Sequence, residues 1–199
     1  MQSVESKIEK SIKAKPRGFL LLPDDFAQHG SAESVRKALQ SLREKGLIRS
    51  VAHGIYVRPV ISEYIGEVLP TAEEVAETIA RRDKIKLIPT GVYALHALGL
   101  STQIPLNLVF LTDGAPRTIK VGKRTIKLKK TTPKNLKAKG KISSLVIQAL
   151  REIGKDKATE EEVDTILRLL QKEDSNTLQH DITLAPEWIK RIMKQALNE

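Results

Sequence analysis

Apolar positions in the first sixty residues recur first with helical and then with strand spacing. Val4, Ile8 and Ile12 make a narrow stripe that predicts a helix over 3–15, capped by Ser3 and ended by Pro16 and Gly18. Phe19 to Leu22 is a short apolar run that reads as a buried strand. Asp24 to His29 fits a short helix with its acidic residues at the positive end, and Gly30 makes the turn after it. From Ser31, a favourable N-cap, Val35, Ala38, Leu39 and Leu42 fall at i, i+3, i+4 and i+7 and share one face. Gly46 stands where a left-handed cap would stop that helix. Leu47–Val51 and Ile55–Arg58 then pair as a hairpin with His53 and Gly54 at its tip.

The pattern changes after Pro59. Glu63 to Leu69 reads as a linker, and Thr71 to Glu74 is a capping box opening a helix with Val75 and Ile79 inward. Lys84–Ile88 is a strand that stops at Pro89, and Thr90 caps a helix whose Val92, Leu95 and Leu98 share a face until Gly99 ends it. Leu106 to Leu111 gives the strongest strand signal, with Asp113-Gly114 as its turn. Arg117–Lys130 shows period two on both sides of Gly122-Lys123, which predicts a hairpin. Its Ile119 and Ile126 share one face, while Lys120, Lys127 and Lys129 line the other. Helices follow over roughly 141–153, 159–172 and 186–197. The expected fold is α+β: an N-terminal domain over 1–62, then an α+β domain over 65–199 with a basic hairpin and a helical tail from about 141.

Charge sharpens this picture. The net charge is +10, which points toward an acidic partner such as nucleic acid. Residues 1–60 hold 11 basic and 6 acidic side chains, residues 61–140 hold 14 and 7, and residues 141–199 hold 9 and 11. Positive charge is therefore confined to the first two stretches. Aromatic content of 4% argues against a stacking platform for single strands. With no cysteine, disulfides, thiolate metal sites and a cysteine nucleophile are excluded. The charged start lacks the apolar centre of a signal peptide, and no apolar run approaches a membrane span, so the expectation is a cytoplasmic protein.

A short helix, a glycine turn, a long helix and a hairpin, in that order near the start of a basic chain, suggest a winged helix-turn-helix. The competing view is an ordinary amphipathic surface helix. In the first reading Lys37, Gln40 and Glu33 are the base-edge readers, since Lys pairs with guanine, Gln with adenine, and a carboxylate accepts from cytosine. Ser31 and Ser41 flank them. Arg36, Arg43, Arg49 and Arg58 would hold phosphates. His53 at the wing tip would reach a minor groove, although an exposed turn histidine is more often idle. The second candidate is Arg117, Lys120, Lys123, Arg124, Lys127, Lys129 and Lys130, within a run from 117 to 141 of 11 basic residues and no acid. That run is a solvated sheet face, a phosphate contact or a dock for an acidic partner. Nothing supports an enzyme, a metal or a cofactor: there is no phosphate-binding glycine motif, and His29, His53, His96 and His180 are scattered.

Three segments resemble the AbiEi-type antitoxins of toxin–antitoxin (abortive infection) systems. They are the N-terminal stretch with Asp25-Phe26-Ala27 ahead of residues 31–59, the block PTGVYALHALGLSTQIP, and the following LVFLTDGAPRTIKVGKRTIKLKK. The resemblance implies a winged helix that binds inverted repeats in its own promoter as an autorepressor. It also implies a C-terminal domain that opposes a cognate, nucleotidyltransferase-like toxin. Inverted repeats imply a dimer or cooperating copies on duplex DNA. The family's DNA-contacting positions map onto the 31–46 helix and the 49–58 wing, and it supplies no catalytic residue. The alternatives are a protein-interaction module or a plain winged-helix regulator without a toxin.

Overall fold

The computed structural model describes residues 2–197, an α+β fold with several small sheets. The backbone divides into two compact units, 1–79 with 119–123, and 80–118 with 124–199.

The first unit opens with helix α1 (Val4–Ala14), whose cap Ser3 accepts from the Ser6 amide. Strand β1 (Leu20–Leu21) follows, then a 3-10 turn (Pro23–His29) and helix α2 (Ala32–Glu44). Strands β2 (Arg49–Ala52) and β3 (Ile55–Val57) complete a three-stranded antiparallel sheet in the order β1-β3-β2. The expected stripes are the buried ones. Ile8 and Ile12 of α1, Phe26 of the turn, and Val35, Ala38, Leu39 and Leu42 of α2 form one core with Leu21 and Ile48. Gly46 ends α2 at φ +77, a conformation a side chain would strain. A bulge between Ser50 and Ala52 interrupts the β2–β3 register.

Residues 63–69 are not a plain linker. Strands β4 (Val60–Ser62) and β5 (Gly66–Val68) form a second hairpin. Its side chains bury nothing regular, with Tyr64 at 94% and Ile65 at 75% exposure, so no alternation marks it in the sequence. Helix α3 (Ala72–Asp83) starts at the expected capping box, with the Thr71 amide and hydroxyl both donating to Glu74.

In the second unit, strand β6 (Leu87–Thr90) runs through Pro89 rather than stopping before it. The sheet of β6, β7 (Asn107–Thr112), β8 (Arg117–Val121) and β9 (Arg124–Lys130) has the order β6-β7-β9-β8, residues 119–121 of β8 belonging to the first unit. β6 is therefore an edge, where a proline's missing N–H can face outward at no loss to the ladder. The central pair β7–β9 is parallel, from Asn107 opposite Thr125 to Thr112 opposite Lys130. Along β9 the expected alternation holds, with Ile126 and Leu128 buried and Lys127 and Lys129 exposed.

Helix α4 (Val92–Ala97) is preceded by Gly91, not capped by Thr90, whose hydroxyl instead donates to Gln148. Ala94 and Leu98 of this segment are buried while Val92 is 40% exposed, so the inward face is rotated from the expected one. The tail contains α5 (Lys141–Ile153), α6 (Glu160–Leu170), α7 (Ser175–Ile182) and α8 (Glu187–Gln195). Their apolar faces make the second core, including Val146, Leu150, Ile166, Leu170, Ile189 and Met193. Helix α7 is absent from the periodic reading because a buried Asp181 interrupts the short apolar row of Leu178 and Ile182. Among the described residues no helix is long and apolar enough to cross a membrane.

Candidate nucleic-acid interface

The apolar stripe of α2 faces the core, which turns Glu33, Arg36, Lys37, Gln40 and Glu44 to the outside. All three expected base readers are held along the helix. Lys37 pairs with Glu33 at 2.8 Å, and the Gln40 amide donates to Glu44 at 3.0 Å. Both partners of the ion pair are more than 70% exposed. Such an i,i+4 pair is worth about 0.3–0.5 kcal/mol, less than the ~1–3 kcal/mol of a good side-chain–base contact. The face is thus ordered at rest and cheap to release. Ser31 is occupied as the α2 N-cap, accepting from the Ser34 amide. The Arg36 Nε donates to the Ala32 carbonyl at 3.3 Å, and Arg43 is exposed near the helix end.

Other expected contacts are drawn into the fold. Arg58 donates to the Lys13 carbonyl at 3.1 Å and the Lys15 carbonyl at 3.2 Å. These carbonyls end α1 and have no helical partner, and the guanidinium serves them. Arg49 forks onto both carboxylate oxygens of Glu67, at 2.7 and 2.9 Å, and also donates to the Gly46 carbonyl. Ser41 is half-buried beside Glu5 of α1, which pairs with Lys45. The Lys45 hydrogen bond is the largest influence on Glu5 and holds its carboxyl below the usual range, against a smaller upward effect of burial. His53 lies exposed at the β2–β3 tip beside Gly54.

The basic strands divide in the same way. Arg117 of β8 pairs with Asp83, which also takes Arg82 at 2.7 Å. The Arg82 hydrogen bond leads in holding the Asp83 carboxyl below its usual range; burial opposes it, and Arg117 adds to it. Arg124 is half-buried and engaged. Lys120 and Lys123 are exposed on β8 and its turn. On β9, Lys127, Lys129 and Lys130 are exposed and, among the described residues, paired with no acid.

The sequence reading also missed a buried carboxylate. Asp181 is fully buried and accepts from the Lys139 and Gly140 amides at 2.8–3.0 Å, from Ser143 Oγ at 2.6 Å and from His180 Nδ1 at 2.7 Å. Glu173 accepts from the Ser143 amide at 2.6 Å. Together the two acids satisfy the start of α5, where Gly140 has no side chain of its own to cap it. A Cβ on Gly140 would lie 2.4 Å from Glu173 and Ser143, so only glycine fits. Burial is the largest influence on the Asp181 carboxyl and raises its pKa. The hydrogen bonds from Ser143, Lys139, His180 and Gly140 outweigh it, so the net direction is down. Serine and histidine both address the same carboxylate, and the imidazole does not reach the hydroxyl. This geometry anchors a helix and does not activate a nucleophile.

The pattern that could have revealed these residues is a polar side chain inside an apolar row. Gln148 within LVIQAL and Asp181 between Leu178 and Ile182 both fit that description.

The match that places the chain spans both units. The chain belongs to the DUF6088 family, described as a family of unknown function, whose profile covers residues 7–178. No curated protein matches it. Membership takes in α2, the basic strands and most of the helical tail, and assigns a role to none of them.

Proposed function

We propose that the chain is a DNA-binding transcriptional autorepressor and the antitoxin of a nucleotidyltransferase-like toxin. The DNA half is carried by one observation. A polar helix face, ordered only by weak exposed pairs, lies between a 3-10 turn and a bulged hairpin. The element order α1-β1-turn-α2-β2-β3, with the sheet order β1-β3-β2, supports reading it as a winged helix-turn-helix with α2 in the major groove and β2–β3 as the wing. Lys37, Gln40 and Glu33 then read bases, Arg36 and Arg43 hold phosphates, and His53 rides at the wing tip. The toxin half rests on the resemblance of the middle block and basic strands to AbiEi-type antitoxins.

The test is fluorescence anisotropy with duplex DNA from upstream of the gene. Lys37→Ala with Gln40→Ala is expected to remove the preference for that duplex over a scrambled one, leaving weak salt-sensitive binding. Full preference in the double variant would remove α2 from base reading. For the toxin half, co-expression with the product of the adjacent reading frame should relieve growth arrest, and no relief would leave only the regulator.

A second reading, a protein-interaction module, is favoured by Tyr64 and Ile65 standing almost free at the β4–β5 tip. On that reading upstream DNA shows no binding, and a pulldown recovers one stoichiometric partner that Tyr64→Ser with Ile65→Ser abolishes.

A further inference from the structure

Helix α5 carries Ser144, Gln148 and Arg151 on one face, at i, i+4 and i+7. The 3-10 turn Pro133–Leu136 brings Lys134 and Asn135 to the same place. With Leu184 these residues line a shallow, solvent-open cleft whose enclosed space is about 10 Å³. That is room for about one water-sized group and far below an ordinary small-molecule pocket, so the cleft suits a single oxygen of a larger ligand.

Its polar groups converge with a single sign. Gln148 is only 4% exposed, and its Oε1 is taken by the Thr90 hydroxyl at 3.2 Å. This leaves the amide Nε2, open to the cleft, as a donor for which no described residue accepts. Asn135 acts as a strut, donating to Thr131 Oγ1 at 2.8 Å and accepting from Arg151 at 3.3 Å. It holds the guanidinium at the rim with its other donors unused. Lys134 adds an ammonium, and no acidic side chain lines the cleft. Donors without an acceptor, around a space the size of one group, call for an oxyanion.

The surrounding chain says which source of oxyanion fits. Residues 124–141 hold eight basic side chains and no acid. On β9, Lys127 and Lys129 stand on the exposed face and Lys130 follows at the strand end, all without an acidic partner among the described residues. Successive unpaired ammonium groups match the regular charge of a phosphodiester chain better than one isolated phosphate. We propose that the Gln148–Arg151–Lys134 cleft seats a backbone phosphate of duplex nucleic acid, with the β9 lysines meeting further phosphates of the same duplex. This extends the DNA reading of α2 to a sequence-independent contact in the second unit.

Gln148→Glu keeps the side chain's size and an oxygen for Thr90, while presenting an acceptor to the anion. Binding of upstream and scrambled duplexes to the full chain would be measured across a salt series. Gln148→Glu and, separately, Arg151→Glu should weaken both duplexes about tenfold and equally, each lowering the salt slope by about 0.9. Lys127→Gln with Lys129→Gln should lower it by about twice that. Thermal unfolding matched to the parent excludes a folding defect, and Arg151→Gln is the fallback if Gln148→Glu is unstable. Unchanged affinity and slope in these folded variants would overturn the proposal. Binding of inorganic phosphate that Gln148→Glu abolishes, with duplex binding untouched, would also overturn it. The α2 reading fails separately, if the parent chain binds both duplexes equally well.

Discussion

The cations of α2 and its hairpin differ from those of β9 in what the fold asks of them. Arg58 serves the open carbonyls of α1, Arg49 is forked onto Glu67, Lys45 is tied to Glu5, and Lys37 leans on Glu33. Lys127, Lys129 and Lys130 have no acidic partner among the described residues. A count of charges treats the two regions alike, with +5 over residues 1–60 and +7 over 61–140. The structure separates cations that build from cations that are available. A surface for reading sequence needs side chains held in register, which internal pairs supply. One for gripping a backbone needs only exposed charge.

The largest expected effect tests whether a charge is structural in the second unit as Arg58 is in the first. Asp181→Asn keeps the volume but puts donors against the Lys139 amide, the Gly140 amide and the Ser143 hydroxyl. Unfolding in urea should show a loss of about 3 kcal/mol. The effect has a defined pH dependence. Since the folded carboxyl titrates below the unfolded value of about 3.9, its stabilisation is present above that value and lost as pH falls through the folded one. The gap between parent and variant should therefore close below about pH 4. A loss under about 1 kcal/mol at neutral pH would make the cluster incidental.

Next in size is Arg58→Lys, which keeps the charge but cannot bridge two carbonyls with a planar fork. About 1–2 kcal/mol of stability should disappear, while duplex affinity, measured where the variant is folded, stays within twofold. A large drop in affinity with unchanged stability would return Arg58 to the phosphate contacts.

These two residues also show where sequence reasoning reaches its limit. Helices α1 and α2 were legible because Ile8, Ile12, Val35, Leu39 and Leu42 repeat with a local period, and the β9 face because its lysines alternate with Ile126 and Leu128. The capping box at Thr71 is local for the same reason. The carbonyl partners of Arg58 lie 43 and 45 residues away, so nothing local announces its bonds within the fold. The parallel pairing of β7 with β9, across an intervening strand, is equally non-local. The β4–β5 hairpin was invisible for another reason: it buries no face, and burial is what creates a readable pattern. Gln148 and Asp181 fell inside apolar rows, where a polar residue reads as noise until its partner is known.

The smallest effect concerns Arg49, which stands on the boundary between the two kinds of cation. Its ion pair with Glu67 is forked, yet the side chains are 38% and 41% exposed. A surface pair of this kind is worth at most about 1 kcal/mol, and the remaining bond to the Gly46 carbonyl keeps the guanidinium near β2. Glu67→Gln should thus change stability by no more than about 0.5 kcal/mol. If Arg49 is an available cation held in reserve, removing the acid frees it, and duplex affinity should rise about two- to threefold with a salt slope steeper by up to ~0.9. If affinity and slope stay unchanged, Arg49 joins Arg58 as part of the scaffold. The phosphate grip of the first unit would then fall to Arg36 and Arg43 on α2 alone.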